Sequence, residues 1–167
     1  MRLTPRTSRA GIAAAVLLAF AACSQAPAGA DAKSVASQAA VHPESGLRVV
    51  PLKVKSAGGT HAFQVEVATT PQEQAKGLMF RTRMGADEGM VFVNDPPRRA
   101  QFWMRNTVIP LDIIFIGTDH RVLNIAANAV PYDETPLSSA GVTSGVLELN
   151  GGRAAELGIE AGDKVSW

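Results

Sequence analysis

The chain has 167 residues, of which 46% are hydrophobic and 19% are charged, and its formal net charge is +1. This length suits one compact domain and is short for two. Residues 1–22 hold three arginines and no acidic residue; without them, 13 basic residues face 15 acidic ones and the net charge is −2. That balance excludes the strongly basic surface of a typical nucleic-acid-binding domain, so we expect no nucleic-acid partner.

The three arginines belong to a pattern that is typical of an export signal. Arg2, Arg6 and Arg9 form a basic region, and an apolar stretch (11–22) follows it. That stretch is too short to span a bilayer stably. We therefore predict that residues 1–22 are a signal peptide and that the protein is periplasmic.

Cys23, the only cysteine, directly follows the apolar stretch. The sequence "FAAC" resembles a bacterial lipobox, in which the cysteine is lipidated, although Phe20 stands where leucine is usual. Lipidation would hold the protein on the membrane as a lipoprotein. The alternative is cleavage after Ala30, at the small-residue site "AGA" (28–30), which would release a soluble secreted or periplasmic protein. In both cases no second thiol is available for a disulfide or a cysteine-rich zinc site.

The segment that follows Cys23 is rich in Ala, Ser, Gln and Pro and poor in large apolar residues. Such a composition buries too little apolar surface to offset the entropy cost of ordering the chain. We therefore predict a flexible tether over 23–45 and a single folded domain over 46–167.

The predicted domain opens with two alternating apolar runs, "VPLKV" (50–54) and "FQVEV" (63–67), separated by "SAGG". Alternation of this kind predicts a β-hairpin. The stretch "TPQEQAKG" (70–77) then predicts a short helix. Thr70 and Glu73 can form a capping box, proline stands at the first helical position, and glycine ends the helix.

Four further strands are predicted over 89–93, 101–106, 111–117 and 121–127, with turns at "DPPRR" and "GTDH". Their spacing indicates an antiparallel meander, followed by an irregular loop (128–144) and then by a strand, a short helix and a last strand. The predicted fold class is therefore mainly β (α+β). We expect a single compact antiparallel β domain with two short helices, closed or nearly closed so that its edges are protected.

Four blocks of this domain carry a resemblance to a known family. They are "TPQEQAKGLMFR" (70–81), "DEGMVFV" (87–93), "FWMRNTVIPLDIIFI" (102–116) and "LELNGGRAAELGIEAGDKV" (147–165). Together they resemble the domain of unknown function 192, a family of small exported or envelope proteins in bacteria and archaea, over residues 61–167. The resemblance implies a small, mainly β fold and brings no assigned activity.

The third block places polar residues in apolar surroundings. In "LDIIFI" (111–116) both faces of the predicted strand are apolar except at Asp112. A carboxylate in or near the core must find hydrogen-bond partners. The candidate side-chain partners are Arg81, Arg105, Asn106 and Thr107.

Two interpretations of these polar residues are open. In the first, a ligand-binding pocket is surrounded by Arg81, Glu88, Asn106, Thr107 and Asp112. In the second, the same residues form a structural network, in which Asp112 accepts hydrogen bonds from the backbone of residues 106–109 and braces a corner between two strands.

The methionines of the blocks suggest a different chemistry. Met79, Met90 and Met104 lie in three of the blocks, with Trp103 adjacent, and thioethers are ligands that Cu(I) prefers. A Cu(I)-handling periplasmic protein is therefore an alternative, although methionine is also a common core residue that packs well on aromatic rings. Outside this alternative we expect no metal and no cofactor.

The chain lacks the motifs G-x-S-x-G, H-E-x-x-H and C-x-x-C and the nucleotide-binding fingerprints. We therefore assign no catalytic residue. We predict an exported, membrane-tethered and monomeric module that binds an unidentified envelope ligand or protein. The remaining alternative is an enzyme of unrecognised type that uses Asp112 or Glu88 as a base.

Overall fold

The computed structural model describes residues 40–167. In chain order the strands and helices are β1 (Val49–Ser56), β2 (Gly59–Ala68), α1 (Pro71–Lys76), β3 (Glu88–Phe102), β4 (Leu111–Gly117), β5 (Val122–Ala129), β6 (Leu137–Asn150), α2 (Arg153–Glu156) and β7 (Lys164–Ser166). The predicted signal peptide, Cys23 and most of the predicted tether lie outside the described residues. Within residues 40–167, no helix is long and apolar enough to cross a membrane.

The seven strands form one sheet in the order β5-β4-β6-β3-β2-β1-β7. The sheet curls until β7, at one end of this order, reaches the start of β5 at the other end. There Arg121 and Lys164 form a bridge, and the backbone N–H of Val165 donates to the carbonyl of His120 at 2.8 Å. The prediction of a mainly β fold with two short helices is confirmed, and the curl brings the two edge strands together.

The predicted meander is wrong in its connections. Strands β2 and β3 run parallel, because the chain crosses over between them through α1 and the loop after it. Strand β6 lies between β3 and β4, so these two consecutive strands are not neighbours in the sheet. The predicted "DPPRR" turn is part of β3, whose register against β6 shifts between Val93 and Arg98 and so accommodates two prolines. Strand β6 begins at Leu137, inside the predicted irregular loop.

Alternate residues of the strands form two apolar clusters on opposite faces of the sheet. The first cluster has members from all seven strands, among them Leu52 and Ile114, which places it inside the curl. The second cluster includes Met90, Phe92 and Ile113 and lies on the outer face, beneath the loops that follow α1 and β3. These loops create a cavity over the second cluster.

Helix α1 has the predicted capping box. Thr70 Oγ1 accepts from the backbone N–H of Glu73 at 3.2 Å, and the Glu73 carboxylate accepts from the N–H groups of Thr69 and Thr70, each at 2.8 Å. The backbone hydrogen bonds from Thr70 and Thr69 lower the pKa of Glu73. None of the helical residues is buried. Helix α1 is therefore held by its cap and by Gln74, whose Nε2 donates to a β3 carbonyl at 2.7 Å.

Candidate functional site

Asp112 is fully buried on β4 and braces the start of α2. Its Oδ1 accepts from the N–H groups of Asn128 at 2.8 Å and Gly152 at 2.9 Å, and its Oδ2 accepts from the N–H of Ala154 at 2.7 Å. These donors belong to the end of β5 and the start of α2, and not to residues 106–109. A carboxylate enclosed and hydrogen-bonded in this way is out of reach of a substrate.

Arg81 forms a buried, bidentate ion pair with Glu66. Its Nη1 lies 2.9 Å from Glu66 Oε1, and its Nη2 lies 3.2 Å from Oε2. The Arg81 Nε also lies 3.0 Å from an oxygen of Glu44, and His42 Nδ1 lies 3.7 Å from Glu66 Oε1. A cavity of about 400 Å³ adjoins this group and is lined by Arg81, Glu44 and Glu88 among others. Arg81 is thus already paired with Glu66 and Glu44, whereas Arg83, which also lines that cavity, forms no ion pair within residues 40–167.

The other predicted site residues lie apart from this pair. Glu88 Oε2 accepts from the N–H of Gly85 at 2.7 Å, and Asn106 Nδ2 lies 3.8 Å from Met79 Sδ. Thr107 is buried, and its hydroxyl lies 3.4 Å from a backbone carbonyl. Among residues 40–167, hydrogen bonds and ion pairs connect no two members of the predicted set Arg81, Glu88, Asn106, Thr107 and Asp112.

The three methionines considered for Cu(I) are divided between the core and a cavity. Met90 and Met104 belong to the second apolar cluster and are almost completely buried, whereas Met79 lines a cavity next to it. In the part of the chain that the structure describes, no group of three or more His, Cys, Asp or Glu side chains is placed to hold a metal ion.

The cavity beside Met79 has a volume of about 290 Å³ and lies between α1, β3 and the loop after β3. Phe92 and Phe102 form an aromatic wall, with ring centroids 4.9 Å apart in an edge-to-face arrangement. Trp103, which is 49% exposed, stands at the mouth. These rings give one side of the cavity an aromatic surface, while polar and charged side chains such as Asn94 and Gln101 line the rest.

Three cations surround the mouth of this cavity. Lys76 comes from α1, Arg98 from β3, and Arg105 from the loop after β3. An Arg98 nitrogen donates to Gln74 Oε1 at 2.9 Å, and the Arg105 guanidinium carbon lies 4.2 Å from the centroid of the Trp103 ring. Each cation is thus held by a different element, and together they make the entrance positive.

The floor of the cavity is Glu148 on β6, and we call this site the Glu148 cavity. Glu148 is 5% exposed and is in register with Met90 on β3 and with Ile113 on β4. Burial raises the pKa of Glu148 from 4.5 to about 8, and no charged or hydrogen-bonding group among the described residues contributes to the shift. The carboxyl group is therefore protonated at neutral pH. A carboxyl group with a raised pKa that borders a cavity is a candidate functional group.

Sequence reasoning missed Glu148, although a signal was present. In "VLELN" (146–150), strand alternation places Leu147 and Leu149 on one face and Val146 and Glu148 on the other. From the sequence alone, the face that carries Glu148 would be interpreted as exposed to solvent, because the position of β6 in the middle of the sheet is not known. Only the observed strand order shows that this second face is also covered.

The family model of the domain of unknown function 192, described as "Uncharacterized ACR", matches residues 52–167. The chain belongs to this family. The resemblance carried by the four sequence blocks is thus confirmed, and it brings no assigned activity with it.

Two crystal structures of similar proteins share the fold. The first is a protein of unknown function from Novosphingobium aromaticivorans DSM 12444, with 62% identity, a TM-score of 0.77, and coverage of 83% of this chain and 99% of that chain. The second, from Sinorhizobium meliloti 1021, carries the provisional description of a transcription regulator, with 37% identity, a TM-score of 0.70, and coverage of 72% of this chain and 94% of that chain. A comparison with curated proteins gives no match.

Proposed function

We propose that the protein is a non-enzymatic binding module of the cell envelope that holds a small organic molecule in the Glu148 cavity. The observation that supports this most is a buried carboxyl group at the floor of a cavity that has aromatic rings on one side. Among residues 40–167 no fully enclosed side-chain oxygen or nitrogen lacks a hydrogen-bond partner, so the Glu148 carboxyl group is open to the cavity and can form a hydrogen bond with a ligand. The volume of about 290 Å³ is close to the lower limit of small-molecule sites.

The geometry gives less support to an enzyme. Asp112 is enclosed and its carboxylate is already hydrogen-bonded, while Glu88 accepts from a turn N–H. The described residues that line the Glu148 cavity include no Ser, Cys or His, so the common pairings of a Ser or Cys nucleophile with a His base are absent from this part of the chain. A DNA-binding regulator, which the description of the Sinorhizobium relative suggests, is not favoured by a net charge of −2 beyond residue 22.

A screen of small molecules by thermal shift and isothermal calorimetry tests the proposal. We expect at least one organic compound to raise the melting temperature and to quench the fluorescence of Trp103 at the mouth. Ala75 lines the cavity from α1, so Ala75→Phe should place a ring in it and abolish binding. The matched control is Ala161→Phe at an exposed turn position, which should bind as the wild type does. Equal binding by both variants would contradict the proposed site.

Export and membrane anchoring are part of the same proposal and are supported by the sequence of residues 1–23. Mass spectrometry of the mature protein, expressed in a bacterial host, should find a lipidated Cys23 as the N-terminal residue. A Cys23→Ala variant should then move from the membrane fraction to the soluble fraction. An N-terminus at Asp31 would show cleavage after Ala30 instead, and an intact N-terminus in the cytoplasm would contradict export.

A further inference from the structure

The charges that line the Glu148 cavity are strongly unequal. Lys76, Arg98 and Arg105 are exposed at the mouth, and among the described residues the only acidic one in the lining is Glu148 at the floor. Because burial keeps Glu148 protonated at neutral pH, the described lining of the cavity carries three positive charges and no negative one. A positive entrance attracts anions and disfavours cationic ligands.

The cations differ in how far they are already engaged. Arg105 pairs with Glu134 at 2.5 Å, and Arg98 donates to the neutral Gln74. Within residues 40–167, the Lys76 side chain takes part in no ion pair. Arg98 and Lys76 therefore keep charge that is available to a ligand, while part of the Arg105 charge is neutralised.

At the floor of the cavity, the cross-strand neighbours of Glu148 have apolar side chains without an oxygen or nitrogen to accept a hydrogen bond from its carboxyl group. Met90 and Phe92 face it from β3, and Ile113 faces it from β4, all of them apolar and buried. The charged groups that border the same cavity are the three cations of the mouth, on α1, β3 and the loop after β3. None of them contributes to the pKa of Glu148, so they are not its partners.

Resting on the proposed function, we propose that the ligand is a small organic anion with a hydrogen-bond acceptor at its inner end. The Glu148 carboxyl group donates to that acceptor, the aromatic wall contacts the body of the molecule, and Lys76 and Arg98 contact its anionic group. A buried carboxylic acid that stays protonated is a good donor in such a site, because its ionised form would repel the anion.

Three probes that are matched in shape separate these contributions. They are para-acetylbenzoate, which has both the anion and the acceptor; para-isopropylbenzoate, which lacks the acceptor; and para-methylacetophenone, which lacks the anion. We expect para-acetylbenzoate to bind the wild-type protein about fivefold to tenfold more tightly than either of the others at neutral pH. Lys76→Gln should remove most of its advantage over the neutral ketone, while the exposed control Glu160→Gln should change nothing.

The pH dependence tests the donor role of Glu148. Above pH 8 the wild-type affinity for para-acetylbenzoate should fall by about the fivefold to tenfold that the acceptor contributes, because an ionised Glu148 can no longer donate a hydrogen bond. In Glu148→Gln the amide donates at every pH, so the acceptor preference should remain and the fall should vanish. In Glu148→Leu the acceptor preference should be lost.

The outcomes separate this inference from the proposed function. Equal affinities for the three probes, or wild-type binding that is flat above pH 8, would overturn the inference. Binding of other compounds in the Glu148 cavity with none of the benzoates would also overturn it and leave the proposed function standing. If Ala75→Phe weakens the binding of no compound in the wider screen, both the inference and the proposed function are wrong.

Discussion

The carboxyl group of Glu148 lies on the central strand β6, and burial raises its pKa from 4.5 to about 8. In the unfolded chain Glu148 ionises near 4.5, whereas in the folded, ligand-free protein it keeps its proton to about pH 8. Between these values the folded state binds more protons, so stability falls as the pH rises. The difference of 3.5 pKa units sets an upper limit of about 5 kcal/mol.

Glu148→Gln removes this titration, so the variant should be progressively more stable than the wild type as the pH rises from 4.5 to 8. Below pH 4.5 and above pH 8 the difference between the two free energies of unfolding should be constant. Urea unfolding of both proteins across this range measures it, with the exposed Glu160→Gln as the control. A difference that does not change with pH would show that Glu148 ionises normally in the folded protein.

Asp112, unlike Glu148, stabilises the fold through its carboxylate, which accepts hydrogen bonds from three backbone N–H groups of the domain. In Asp112→Asn, an NH₂ group replaces one oxygen and faces backbone N–H donors that it cannot accept from. With one or two buried N–H groups left unpaired, we expect a loss of about 2–4 kcal/mol in the free energy of unfolding. Binding in the Glu148 cavity should be unchanged in the protein that remains folded.

The control for Asp112 is Asp119→Asn, since Asp119 accepts from the N–H of Arg121 in an exposed turn at 3.1 Å. Its loss of stability should be much smaller, because the amide oxygen of the variant can still accept this single hydrogen bond and water can solvate the NH₂ group. If Asp112→Asn kept its stability and lost ligand affinity instead, Asp112 would belong to a binding site.

Among the elements, α1 is the one whose structure depends most on its own sequence. It has six residues, none of them buried, yet it forms one side of the Glu148 cavity. Thr70→Ala removes the side-chain cap. Such a loss typically lowers stability by about 0.5–2 kcal/mol, and here we expect most of the effect to be local fraying of the helix. We expect faster hydrogen exchange at residues 72–77 and weaker ligand binding, with a smaller change in global unfolding.

Thr60→Ala is the matched control for Thr70→Ala, because Thr60 is exposed on β2 and caps no helix. Its α1 exchange rates and its ligand affinity should equal those of the wild type. Weakened binding in both variants would show that α1 does not control access to the cavity.

The contrast between α1 and β3 explains how much of the fold could be predicted. The capping box of α1 lies within four residues and needs no tertiary information, so the sequence pattern is sufficient. The single strand β3 is held together across its two prolines by pairing with β6, some fifty residues later in the chain, for example Phe92 with Val146. Local turn residues therefore indicated a turn at a place where the long-range pairing keeps the chain in the sheet.

The same difference in range applies to the candidate site. Two apolar faces around Asp112 correctly indicated that its carboxylate needs partners, but the donors lie 16, 40 and 42 residues away in sequence. Glu148 was missed because its burial depends on the strand order and on two loops that cover the sheet. The sequence could therefore indicate that a polar group is buried, but not which segments bury it.

At the scale of the whole molecule, the Arg81–Glu66 ion pair connects segments that are distant in the chain. Glu66 lies on β2, Arg81 follows α1, and Glu44 and His42 belong to the segment that precedes β1. That segment folds back on itself through a bridge between Val41 and Arg48, and the backbone N–H of Val49 in β1 donates to the carbonyl of Ala40 at 2.6 Å. The contacts of the domain thus extend into residues that the sequence assigned to the tether.

A double-mutant cycle measures what this buried pair contributes. Glu66→Gln or Arg81→Met alone leaves one charged or polar partner buried without its counterpart, and we expect each to cost about 3–5 kcal/mol in the free energy of unfolding. The double variant should cost clearly less than the sum of the two, because it removes both groups together. Glu156→Gln, which breaks the more exposed pair with Arg153, should cost little. Additive losses in the cycle would show that the two side chains do not stabilise each other and that their geometry only reflects the packing of β2 against the loop after α1.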